Sequence, residues 1–134
     1  MDDELDKVAE EIEKYHITDT KTIKERKNMI LYKLTLDRKE MIEYQKLLIH
    51  YRYVDEVDEL RMGSYIRFFK LNTDSIGLGR GGFLADIKIN QQRIVLLLKN
   101  RNRFFQLKMD ECILFQKNTN QEMILIQILD QIKS

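Results

Sequence analysis

The chain has no proline and no tryptophan, and only one cysteine, two histidines and five glycines among 134 residues. Each scarcity excludes something. Without proline nothing forces a helix to break, so long helices are permitted. A lone Cys112 forms no internal disulfide, and a reducing cytoplasmic or nuclear setting fits it best. His16 and His50 stand apart, so no histidine pair has metal-ligand spacing. No Ser-His-Asp order or nucleophile elbow occurs, and the sequence points away from an enzyme. No apolar run reaches the roughly 18 residues that suggest a membrane-spanning helix, so no membrane partner is expected. The first residues are acidic and carry no apolar signal core, so no secretory leader is expected. No cofactor is implied.

What is present is charge and periodicity. Apolar residues make up 43%, enough for a core, and charged residues 34%. The latter exceeds the roughly 25% of average globular domains, as long exposed helix faces would require. The net charge of +1 hides an asymmetry. Met1–Glu59 holds 16 acidic and 11 basic residues, net −5, and Leu60–Ser134 holds 6 and 12, net +6. Two surfaces with different partners are one reading of that split; a solvated basic sheet surface is the other.

The N-terminal half reads as helical. Leu5, Val8, Ala9, Ile12 and Tyr15 recur at three and four residues, giving one apolar stripe on a helix over Asp3–Tyr15. His16–Thr22 is a break, and Thr22-x-x-Glu25 has the spacing of a capping box for the next helix. From Thr22 to about Asp58 there is no glycine. Ile30, Leu34, Met41, Tyr44, Leu48 and Tyr51 fall on the a and d positions of a 3.5-residue repeat, with Asp37 as a polar interruption. One long coiled-coil-like helix that self-associates along this seam is the simpler expectation. Asp37-x-x-Glu40 offers the alternative, a turn near Thr35–Asp37 and a helical hairpin.

The C-terminal half reads as strands at Tyr65–Leu71, Phe83–Ile89, Arg93–Lys99, Phe104–Met109 and Cys112–Lys117. A loop over Asn72–Gly82 holds four of the five glycines. One long first loop followed by tight hairpins and a short final link resembles a Src-homology-3-like or Tudor-like barrel in its pattern of lengths. The aromatic signatures by which those families bind ligands are not evident. After Thr119-x-x-Glu122, another capping-box spacing, a helix to about Ile132 is so apolar that burial on two sides is expected. The segments Gly63-Ser64-Tyr65-Ile66-Arg67-Phe68, Gly81-Gly82-Phe83 and Ile113-Leu114-Phe115-Gln116-Lys117 resemble uncharacterised small proteins of large cytoplasmic DNA viruses. That resemblance implies a virion or assembly role and no site residues.

Gly77-Leu78-Gly79-Arg80-Gly81-Gly82 matches G-x-G-x-x-G. A dinucleotide site needs a helix after the glycines to meet the phosphate, and here a strand follows. A turn-forming loop is the plainer reading; a cradle of amides beside Arg80 for a phosphate or carboxylate is the functional one. Arg93, Lys99, Arg101, Arg103 and Lys108 surround Phe104 and Phe105. Basic groups with an aromatic suit a nucleic-acid backbone and a stacked base, though solvated hairpin tips have the same composition. The resulting expectation is α+β: a helical oligomerisation arm over 1–60, then a five-stranded antiparallel barrel with a C-terminal helix over 61–134. Function would be non-enzymatic assembly, the arm pairing with another copy and the barrel docking a protein. The alternative is nucleic-acid binding by the basic strands.

Overall fold

In the computed structural model, which describes residues 2–133, three helices come first: α1 (Asp2–Lys14), α2 (Thr20–Tyr32) and α3 (Arg38–Leu47). Six strands follow: β1 (Tyr51–Val54), β2 (Tyr65–Lys70), β3 (Gly82–Asn90), β4 (Arg93–Asn100), β5 (Arg103–Lys108) and β6 (Cys112–Lys117). Helix α4 (Asn120–Lys133) comes last. The class is α+β, but neither a single long helix nor a barrel forms.

Local chemistry at Asp37 overrides the heptad. The Glu40 amide donates to Asp37 Oδ1 at 2.7 Å and the Asp37 amide to Glu40 Oε1 at 3.3 Å, a complete capping box that opens α3. Thr35 just before it sits at φ 56°, in the left-handed region through which a right-handed helix cannot run. The heptad spacing persists because the hairpin lays α2 and α3 on one sheet face. Leu31, Leu34 and Leu48 are buried with Tyr51, Phe69, Ile113 and Phe115, and Ile30, Met41 and Tyr44 pack at the margin. Tyr51 belongs to β1 and not to a helix. Upstream, α2 starts from Asp19 as its N-cap, earlier than the Thr22 spacing predicts.

All strand pairings are antiparallel, in the order β1-β6-β2-β3-β4-β5. The five expected strands are β2–β6. Strand β1 adds a sixth beyond β6, with Tyr51 opposite Lys117 and Val54 opposite Leu114. The two edges, β1 and β5, do not pair with each other, so the sheet is open. Closing a barrel would require a strand pairing there. Instead Val54, Val57 and Leu60 cover the core face formed by Ile66, Leu84, Leu96, Leu98, Leu107 and Leu114.

Helix α4 is tied to this assembly in two ways. Leu125 and Ile126 are buried with Ile17 and Ile23, and Val8, Ile12, Tyr15 and Leu129 pack around them. Its N-terminus has the expected box: the Thr119 amide donates to Glu122 Oε1 (2.8 Å) and the Glu122 amide to Thr119 Oγ1 (3.1 Å). The other carboxylate oxygen, Oε2, accepts from Arg52 at 3.1 Å and Arg61 at 2.7 Å. Both Glu122 and Arg52 are buried. Arg52 also donates to Asn118 Oδ1. Beside them the buried Gln116 accepts from the Arg61 amide (2.8 Å) and donates to the Glu59 carbonyl (2.9 Å). Burial of α4 is nevertheless one-sided, since Ile124, Ile128 and Ile132 stay exposed.

Candidate functional site

Helices α2 and α3 cover the face of β1, β6 and β2, and the corresponding face of β3, β4 and β5 stays bare. Register decides what is displayed there. Tyr65 lies opposite Phe83, Phe83 opposite Lys99, and Lys99 opposite Phe104. Antiparallel partners share a face, so these four side chains form one row across four strands. Phe83 is 54% exposed and Phe104 57%, unusual for rings of that size. The Tyr65 and Phe83 rings meet edge-on, centroids 4.9 Å apart. The Lys99 ammonium sits 5.5 Å from the centre of the Phe104 ring, within cation–π range.

The Tyr65 end of this row opens into a groove of about 1170 Å³. Its charged lining is Arg67, Arg80, Arg101 and Arg103, and its aromatic lining is Tyr51, Tyr65, Phe68 and Phe105. Among the described residues no carboxylate lines it. One wall is the glycine loop, held by three consecutive carbonyls. Gly79 O accepts from Arg67 Nε (3.1 Å), Arg80 O from the Tyr65 hydroxyl (2.9 Å) and Gly81 O from Asn100 Nδ2 (2.8 Å). Gly81 must be glycine: it sits at φ 95°, and a Cβ there would lie 2.2 Å from the Ile66 carbonyl oxygen. The loop is therefore a shaped wall. It is not a nest of free amides, because the Gly79 amide donates to Phe68 O at 2.8 Å.

Of the residues singled out from sequence, Arg80, Arg101 and Arg103 line the groove, and Lys99 and Phe104 stand on the adjoining row. Arg93 does not join them. It lies at the far end of β4, held by Asp110 (2.9 Å) and Glu111 (3.1 Å), and those carboxylates raise its pKa. Lys108 is four residues along β5 from Phe104, about 13 Å away on the same face. Sequence reasoning missed Arg67, Tyr65 and Phe83. Their spacing carries no signal, because the row exists only once strand register is known. No family model, no curated protein and no solved structure matches this chain.

The predicted self-association seam is spent within the chain. Leu34, Leu48 and Tyr51 are buried in the helix–sheet cluster, and Ile30, Met41 and Tyr44 pack against it. Pairing through them would require that core to open. Cys112 is half-buried in β6, and burial pushes its thiol pKa up, which disfavours the reactive thiolate. Among the described residues no group of His, Cys, Asp and Glu could hold a metal ion, and no helix is long and apolar enough to cross a membrane.

A second concavity, about 550 Å³, lies between α2, α3 and α4. Ile23, Leu31, Ile42, Leu48, Ile49, Met123 and Ile126 supply its apolar lining. Its titratable lining is Lys24, Lys27, Lys46 and His50, again without a carboxylate among the described residues. Lys27 is buried, with Nζ 2.8 Å from the Leu48 carbonyl and 3.4 Å from that of Ile49, at the C-terminal end of α3. Burial lowers its pKa to about 8, and the Lys24 charge pushes the same way.

Proposed function

We propose that the protein binds single-stranded nucleic acid across the β3–β5 face, the backbone in the arginine groove and bases on the aromatic row. The observation that carries this reading is the groove's composition, four arginines and four aromatics with no carboxylate. Such a lining is what a polyanion with flat apolar bases requires. Arginine offers a planar fork that matches phosphate oxygens and also stacks on rings. Exposed Phe83 and Phe104, flanking Lys99, supply stacking surfaces without demanding a particular base. Duplex fits less well, since its bases are already stacked and unavailable to the row.

The test is anisotropy of labelled single-stranded DNA and RNA as salt is raised. If the four groove arginines each displace a counterion, the slope of log K against log salt is about −3. Changing Arg101 and Arg103 together to Ala brings it to about −1.5. Changing Phe83 and Phe104 to Ala weakens binding by about 1–3 kcal/mol for each base that loses its platform, with the salt slope retained. Absence of binding at low salt, or a salt slope indifferent to the arginines, refutes the proposal.

A further inference from the structure

The cavity between α2, α3 and α4 shares no lining residue with the arginine groove. We infer that it is a site for a single-chain amphiphilic anion, a medium-chain carboxylate whose tail lies among Ile23, Ile42, Leu48 and Ile126 and whose head group meets Lys27. Three observations carry this. The volume of about 550 Å³ is that of a small-molecule site. The lining is apolar apart from groups that are cationic or neutral, with Lys24, Lys46 and His50 beside Lys27. Lys27 itself is a buried ammonium with no acidic partner among the described residues, its two hydrogen bonds going to neutral carbonyls. An ammonium has three N–H donors, so one remains for a ligand oxygen. Buried charges are ordinarily paired, and a carboxylate in the cavity supplies the missing partner.

The ligand's chemistry follows from the shape of the charge. A cationic or zwitterionic amphiphile would meet like charge from three lysines. A short carboxylate such as acetate would satisfy the ammonium and leave the apolar lining wet.

The experiment titrates the full chain with decanoate below its micelle concentration, with acetate and decyltrimethylammonium as controls. Binding is followed by calorimetry and by NMR of the Lys27 side chain. Decanoate is expected to saturate at one per chain and to raise the Lys27 pKa from about 8 toward the ordinary lysine value of 10.5. Lys27→Met keeps the apolar stem, and is expected to weaken decanoate binding at least about tenfold while far-ultraviolet circular dichroism stays unchanged. Ile42→Asp, on the exposed wall of the cavity, tests the tail and is expected to weaken binding similarly. Equal binding of decyltrimethylammonium, binding indifferent to Lys27→Met, or no saturable binding of decanoate overturns the inference.

Discussion

Glu122→Gln separates a working buried ion pair from a decorative one. The carboxylate is fully buried, and its Oε2 is shared by Arg52, itself 4% exposed, and Arg61. Glutamine keeps an oxygen for the Thr119 amide, so the α4 cap survives. What is lost is the charge, and the guanidinium of Arg52 is left buried with only the neutral Asn118 oxygen. Removing one partner of a buried pair costs about 3–5 kcal/mol. With a urea m value of about 1–3 kcal/mol/M, the midpoint should fall by between one and several molar. Circular dichroism is the appropriate probe, since the chain has no tryptophan. Arg93→Ala, which breaks an exposed ion pair with Asp110 and Glu111, is the control and should leave the midpoint nearly unchanged. Acid adds an independent check. Burial works to raise the Glu122 pKa, but the hydrogen bond and charge of Arg52 prevail and hold it below 4.5. A depressed carboxylate pKa stabilises the fold above the unfolded value and loses that contribution as pH falls through the folded one. Glu122→Gln should therefore flatten part of the loss of stability below pH 4.5. A midpoint shift no larger than that of Arg93→Ala would refute the reasoning.

Because the folded pKa of Lys27 is depressed to about 8 from 10.5, the unfolded chain binds more protons between those values, and stability should rise with pH across that window. Lys24, Lys46 and His50 face the same cavity and offer no carboxylate to offset this; Lys27→Met should remove the rise and stabilise the protein at pH 7 by about 1–3 kcal/mol, as measured by denaturant melts. Gly81→Ala should destabilise by about 2 kcal/mol or more and open the groove wall, because its Cβ would meet the Ile66 carbonyl at positive φ. Gly77→Ala, whose Cβ would meet only the Tyr44 hydroxyl at 3.9 Å, should be near neutral in the same melts.

Much of the sheet was legible in the sequence because alternation and short polar turns mark strands locally. The expected bounds for β2 through β6 match to within a residue or so, and Cys112–Lys117 matches outright. Strand β1 was not legible. Tyr51–Val54 is four residues long, and Tyr51 continues the spacing of the preceding stripe, so periodicity alone assigns it to a helix. The helical hairpin shows the same competition. A repeat of 3.5 residues states which side chains share a face, and two helices packed on one sheet satisfy it as well as one long helix does. The capping box at Asp37 carried the deciding information. The arginines of the β4–β5 tip could be found from composition, whereas Arg67 and Phe83 are brought to them by strand pairing. Lys27 looks in sequence like any solvated lysine. Its burial comes with hydrogen bonds to the Leu48 and Ile49 carbonyls, which only the turn between α2 and α3 brings within reach.

The bare half of the sheet and the cavity between α2, α3 and α4 share an origin in the way two short helices cover part of a six-stranded sheet. Helices α2 and α3 are anchored to β1, β6 and β2 through Leu31, Leu34 and Leu48 against Phe69, Ile113 and Phe115. That places helical cover on one half of the sheet and leaves Phe83, Lys99 and Phe104 facing solvent on the other. Helix α4, clamped through Glu122 to Arg52 and Arg61, stands beside α2 and cannot slide onto the bare strands without breaking that clamp. It also cannot close over Lys27, so a gap remains between it and the α2–α3 hairpin. An exposed row of aromatic rings is normally an aggregation hazard, and the interposed Lys99 is the kind of charge that blunts it. Mere protection of a sheet surface, however, explains only the row. It does not explain why the adjoining groove gathers arginines from β2, the glycine loop and the β4–β5 turn while excluding every carboxylate, and that convergence is what sets the nucleic-acid reading above a solvated hairpin tip.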